Sequence, residues 1–267
     1  MTPRRIARYL LNRTSSMMSF DTAVIIAKQL LAAQGMGAGG DIATSGEFGV
    51  LKLVAASEPL LFDVGGHVGT YTQEFLKVFP RGRSLIFEPS ASHLVHLRQN
   101  LAANPAVTIY PVGLSDKAAE LPLYKDKDIS GLASLSQRRL DYMNIKLEVM
   151  ETVTVRTLDS VVEETGTTAI DLLKMDVEGH ELAVLKGGIK TFERGIVKLV
   201  QFEFGGCNLD THTTLQDFYY FFKTYKFAVA LVQPSGRIQM LEQYDEFFEQ
   251  YRTANFVAAS RHVLAGH

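Results

Sequence analysis

Residues Leu60 to Gly69 read LLFDVGGHVG: a run of strand character through Val64, then a turn with glycines at 65, 66 and 69. Glycine accepts positive φ and lets a ligand or another backbone approach closely. A helix-like segment, YTQEFLKVF, follows at once. A strand that runs through such a turn into a helix is the first unit of an α/β fold. Further along come SLIFE and HLVHLRQNLAAN, VTIYPVGL, IDLLKM and ELAVLKGG, KLVQFEF and TLQDFYYFFKTY, FAVALV, and NFVAAS. Strands nearly continuous in Val, Ile, Leu and Phe, alternating with helical periodicity, predict a doubly wound α/β domain whose mostly parallel sheet is covered on both faces.

Upstream, Asp21 is the expected N-cap of an apolar helix, AVIIAKQLLAAQ, which stops at Gly35, Gly37, Gly39 and Gly40. Residues 1–50 therefore read as a helical lead-in and 51–267 as the domain. Between Asp116 and Asp159 the alternation lapses into charged and polar sequence longer than a crossover requires. That stretch reads as an insertion or lid with short strands at LPLY and VTVRTL.

The 267 residues are 46% hydrophobic and carry a formal net charge of -2. A chain of this length buries enough surface to need no metal or disulfide staple. Its near-zero charge supplies no field to recruit nucleic acid. No uncharged run reaches the ~18 apolar residues that span a bilayer. Cys207, the single cysteine, reads as a small core hydrophobe. The opening MTPRRIARYLLNRTSSMMSF is basic, free of acids and interrupted before any signal-peptide core forms. It reads as a cationic outer helix, compatible with peripheral membrane contact, and the location expected is cytoplasmic.

In an open parallel sheet the ligand crevice lies at the carboxyl ends of the strands, where the winding reverses. There the sequence sets Asp63, Glu88, Asp116, Asp176 with Glu178, and Glu203, with no lysine or arginine among these positions. Gly65, Gly66 and Gly69 shape the first turn. Glu88, ending the second strand, is set to accept hydrogen bonds from ribose hydroxyls, and Ser115 with Asp116 to contact adenine. Carboxylates would repel the pyrophosphate of NAD(H) and attract the sulfonium and ammonium of S-adenosylmethionine. His67 also stands where the dinucleotide fingerprint needs its second glycine. The expected cofactor is S-adenosylmethionine.

DVGGHVGTYT, IFEPS, VGLSD, GLASL, DLLKMDVEGHELAVLKGG and VQFEFGG together resemble the FkbM-type family of S-adenosylmethionine-dependent class I methyltransferases, over roughly Gly46 to Asn255. DVEGHE is the most specific block. The resemblance implies a seven-stranded Rossmann-like sheet with a reversed final strand, here NFVAAS, and methyl transfer to oxygen, often of a sugar or polyketide hydroxyl. His67 departs from the asparagine of many relatives. Glu47, after Gly46, is implied as a partner for the cofactor's ammonium, and Ser134 of GLASL as a contact to cofactor or acceptor.

An alcohol attacking a methyl group needs alignment and a base. The candidate bases are Asp176, Glu178, His180 and Glu203, of which His180 has the right intrinsic pKa. The reading adopted has no metal. Its alternative is a divalent cation held by Asp176 and Glu203 with Asn208 or waters. His93 and His96 read as solvated surface and DFYYFFKTY as core. The partner expected is a small-molecule or glycan acceptor. An N-methyltransferase, a nicotinamide-dependent oxidoreductase and a catalytically silent S-adenosylmethionine-binding module are the competing readings.

Overall fold

The computed structural model describes residue 5 and residues 18–265. Apart from Arg5, the expected cationic helix in residues 1–17 lies outside the described residues. In chain order the elements are α1 (Phe20–Ala33), a 3-10 turn (Glu47–Leu53), β1 (Leu60–Val64), α2 (Thr70–Val78), β2 (Arg83–Phe87), α3 (Ala91–Leu101), β3 (Val107–Tyr110), β4 (Gly113–Leu114), β5 (Ala119–Lys125), β6 (Val149–Arg156), α4 (Leu158–Thr165), β7 (Leu172–Met175), α5 (Glu181–Lys186), α6 (Ile189–Glu193), β8 (Leu199–Phe204), α7 (Cys207–Thr211), α8 (Leu215–Thr224), β9 (Phe227–Val232), β10 (Ile238–Leu241), β11 (Ala254–Ser260) and α9 (Arg261–Ala265).

The main sheet has the order β10-β9-β11-β8-β7-β1-β2-β3. Strands β3, β2, β1, β7 and β8 are parallel, and β11 runs antiparallel to both β8 and β9. The seven expected strands are present, the last of them, β11, reversed, and β10 adds an eighth at the edge by pairing antiparallel with β9. Because β1 is flanked by β2 on one side and β7 on the other, the winding reverses there and opens a crevice at their carboxyl ends.

Alternation along β1 explains why both faces are covered. Phe62 and Val64 enter one core with Phe202, Phe218 and Phe222, while Leu61 enters the other with Phe75, Leu172 and Leu199. Phe202 stacks on Phe218 with ring centroids 4.9 Å apart. Truncating a buried phenylalanine of this kind costs about 3–5 kcal/mol. Hence the aromatic segment of α8 is core on its Phe218 and Phe222 face, and a capping box between Thr214 and Asp217 starts that helix.

Two local expectations are corrected. Ser19, not Asp21, caps α1: its hydroxyl accepts from the Thr22 amide, and Asp21 falls in the first turn, where a carboxylate still favours the helix dipole. VTIYPVGL is two strands, not one. After β3 the chain leaves the main sheet, and β4 joins a separate three-stranded sheet of order β4-β6-β5. The inserted polar segment supplies β5 and β6 of this sheet.

Candidate active site

At the end of β1 the chain turns through Gly65 at φ 78. A Cβ there would lie 1.9 Å from the Asp176 carbonyl oxygen, and one on Gly66 would lie 2.1 Å from Ile86 Cγ2. Only glycine lets the loop sit this close to β2 and β7. Gly69 serves packing instead, pressing α2 against Leu97 and Leu101. His67, also at positive φ, donates its amide to Glu88 Oε2 at 2.9 Å.

Glu88 is buried and held by three donors: the His67 amide, the Ser90 amide at 2.8 Å and His93 Nδ1 at 3.2 Å. His93 Nε2 accepts from the Ser130 amide, so the ring is the neutral tautomer with its proton on Nδ1. The sequence placed His93 on the solvated surface. It is buried because α3 turns that face toward the glycine loop, where it meets His67 edge to face. Beside Glu88 lies a cavity of about 140 Å³ walled by Phe87, Leu114, Leu123, Leu135 and Val177. The GLASL segment forms its outer wall, locked down by Ser134, whose hydroxyl donates to the Glu178 carbonyl at 2.8 Å.

The cavity shares Gly65, His67, Asp176 and Glu178 with a larger cleft of about 1010 Å³. Lys174, from β7, is buried in that cleft with its Nζ 3.6 Å from Asp63 Oδ1, 3.5 Å from Asp176 Oδ2 and over the Tyr71 ring. Burial pushes the Lys174 ammonium down, but Asp176, Asp63 and Glu47 together outweigh burial and raise it. Asp63 is wholly buried. It accepts from Thr72 at 2.7 Å and braces Lys174, and it does not line the cleft. Glu47 does line it, accepting from Ser45 at 2.9 Å and Gln201 at 3.2 Å; burial pushes its carboxyl up to about 7.

The DVEGHE turn carries Glu178 at φ 51 and Gly179 at φ 99. Burial, reinforced by Asp176, pushes Glu178 up to about 8 despite its ion pair with Arg138. Glu181 folds back to accept the Val177 and Gly179 amides and so holds the turn. Glu203, at the end of β8, faces the cleft, and no donor among the described residues reaches its carboxylate. Burial, with Asp176 and Glu178 nearby, raises it well above the usual carboxylate range.

Four site expectations change. The acidic rim is not free of cations, because Lys174 and Arg138 enter it from a buried strand and from the insertion. Ser115 and Asp116 line neither cavity nor cleft; Gly113 and Leu114 before them do, since Ser115 turns inward to bond His180 Nε2 at 2.8 Å. That bond also takes His180 out of the cleft, where it cannot meet an acceptor. Asn208 is buried with its amide spent on the Gly205 amide and Thr213, so the set Asp176, Glu203 and Asn208 does not assemble. Among the described residues, the ligand atoms that do cluster, within 4.8 Å, belong to Glu178, Glu203 and Cys207. Lys174 had one legible signal, a lone charge inside the apolar strand LLKM. His93, Tyr71 and Arg138 had none.

The family model described as Methyltransferase FkbM domain matches residues 63–228. The chain is 26% identical over 154 residues to 2-O-methyltransferase NoeI of Sinorhizobium fredii, covering 54% of this chain and 63% of NoeI. It is 31% identical over 157 residues to Methyltransferase sdnD of Sordaria araneosa, covering 49% and 61% of the two. Hexuronic acid methyltransferase AglP of Haloferax volcanii is 28% identical over 149 residues, covering 53% and 56%. The chain thus spans about three fifths of the length of these curated relatives. Among solved structures, the methyltransferase FkbM from Methylobacillus flagellatus KT superposes with a TM-score of 0.48 at 16% identity, covering 87% of this chain and 58% of that one. No described helix is long and apolar enough to cross a membrane.

Proposed function

The chain belongs to the FkbM methyltransferase family, and from that premise we propose that it methylates a hydroxyl oxygen of a sugar or other small acceptor, with S-adenosylmethionine as donor. The observation that carries this reading is Glu88, buried, fixed by three donors and set at the wall of an apolar cavity beside a glycine turn. A carboxylate held this way keeps its geometry whether or not ribose hydroxyls engage it. Phe87, Leu114, Leu135 and Val177 offer the flat apolar walls that a purine ring fills.

The donor set fits the rest of the cofactor through charges of both signs. A methionyl end is zwitterionic, and the cleft offers the Lys174 ammonium for its carboxylate and Glu47 with Asp176 for its ammonium. When bound, S-adenosylmethionine supplies a methyl group on a positively charged sulfur.

The chain's own task is to orient the acceptor and take its proton. Glu203 is the proposed base. It lines the cleft without a hydrogen-bond or ion-pair partner among the described residues, whereas Asp176 is engaged by Lys174 and Glu178 by Arg138. Its carboxylate oxygen accepts the hydroxyl proton, assistance typically worth about 10²–10⁴ in rate. Burial makes this carboxylate, once ionised, a stronger base than an ordinary one.

Two relatives, a 2-O-methyltransferase and a hexuronic acid methyltransferase by name, support a sugar hydroxyl as the acceptor class. The test is titration calorimetry with S-adenosylmethionine and S-adenosylhomocysteine, followed by an acceptor screen with labelled methyl donor and mapping of the labelled atom. Binding of both ligands and label on oxygen support the reading; no binding, or label on nitrogen, overturns it.

A further inference from the structure

Strands β8 and β11 pair antiparallel with Leu199 opposite Ala259, Gln201 opposite Val257 and Glu203 opposite Asn255. Alternation puts these six side chains on one face of the sheet. Along β8 that face passes from core to cleft. Leu199, Val257 and Ala259 lie in an apolar cluster, Gln201 is spent between the Tyr71 hydroxyl and Glu47, and Glu203 and Asn255 reach the cleft. Directly opposite residues of an antiparallel pair have Cβ atoms about 4.5–5.5 Å apart, so these last two share one spot on the cleft wall.

Packing gives no reason for an asparagine there. Asn255 is 6% exposed, and its Nδ2 is covered with no hydrogen-bond partner among the described residues. A buried amide left unpaired destabilises a fold and is rare in native proteins. Its terminal amide turns about a broad, roughly two-fold χ2, so NH2 and carbonyl exchange places readily. Asn255 therefore holds an unspent donor and acceptor at the cleft, directly across from the proposed base.

The ligand chemistry follows from the pair. Glu203 accepts a proton, and the amide donates or accepts. Asp176 and Glu178 line the same cleft beside Glu203, so an anionic group is repelled at this point. Two adjacent neutral groups that each donate and accept satisfy both side chains, and a pair of neighbouring hydroxyls is such a ligand. Resting on the reading of the site as an O-methyltransferase, we propose that Asn255 holds the hydroxyl next to the one whose proton Glu203 takes, so that the acceptor is a vicinal diol of a sugar and not an isolated alcohol. A site built to hydrogen-bond a hydroxyl rejects the analogue that lacks it.

The test is a saturation-transfer NMR titration with methyl α-D-glucopyranoside, methyl α-D-mannopyranoside and, as the single-hydroxyl control, cyclohexanol, each with and without S-adenosylhomocysteine. It requires no methyl transfer. At least one glycoside should bind the wild type and cyclohexanol should not. Asn255→Leu should weaken glycoside binding roughly tenfold or more, the loss of one hydrogen bond. The same variant should keep its S-adenosylhomocysteine dissociation constant, and its urea midpoint should stay or rise, as for a residue retained for a ligand at the expense of stability. Glycosides that fail to bind the wild type overturn the proposal, as does cyclohexanol binding equally well or a variant that binds glycoside like the wild type. A lowered urea midpoint also overturns it, because Asn255 would then belong to the scaffold. S-adenosylhomocysteine that does not bind overturns the cofactor reading instead, while the glycoside titration without it still decides the role of Asn255.

Discussion

Lys174 and Asp63 are register partners on the parallel strands β7 and β1, and their charged atoms lie 3.6 Å apart, with Lys174 lining the cleft and Asp63 buried behind it. Asp63 Oδ1 has no hydrogen-bond partner among the described residues, so this ammonium is its main compensation. Replacing Lys174 by Met leaves a buried carboxylate unpaired and should cost about 3–5 kcal/mol. Urea denaturation of Lys174→Met, with Asp63→Asn added to recover part of the loss, checks this.

Glu88→Ala removes the acid at the cavity wall and should weaken S-adenosylmethionine binding roughly 10- to 100-fold, about 1.4–2.8 kcal/mol. His93→Ala leaves the carboxylate in place and takes away one of its three donors, so it should weaken binding by less. Calorimetry on both variants orders the effects; a larger loss for His93→Ala would contradict the assignment.

Glu203→Gln should lower kcat by about 10²–10⁴ while the cofactor dissociation constant stays the same. His180→Ala, which breaks only the bond to Ser115, should leave kcat close to wild type. Equal turnover of Glu203→Gln and wild type would remove the proposed base.

Burial pushes the carboxyls of Glu47 and Glu181 up to about 7 and that of Glu178 up to about 8, against an ordinary 4.5. Between those values the folded chain keeps protons that the unfolded chain has released. Stability is therefore full below about pH 4.5 on this account and falls as pH climbs toward 8, by up to ~1.4 kcal/mol per unit for each group. Denaturation at several pH values measures the slope. Glu181→Gln, neutral at every pH and still able to accept the two amides, should flatten it.

Chelation should leave methyl transfer unchanged. The Arg138 guanidinium is already paired with Glu178 beside Glu203, and a divalent ion would have to compete with it there. Loss of turnover on exhaustive chelation, restored by one added cation, would count against this arrangement.

The alternation of apolar strands with helical stripes was enough to specify a doubly wound sheet, because burying both faces of β1 or β8 demands hydrophobic residues at successive positions. The glycine turn and the placement of Glu88 were legible for a similar reason: steric freedom and a strand-end carboxylate are properties of one short segment. His93, Arg138 and the withdrawal of His180 were not. Each depends on an encounter between distant segments: His93 with the Ser130 amide thirty-seven residues later, Glu178 with an arginine forty residues earlier, and His180 with Ser115 sixty-five residues earlier. Local pattern sets which atoms a segment can offer. Which of them remain free to meet a ligand is set by the long-range hydrogen bonds and ion pairs that tertiary packing closes first.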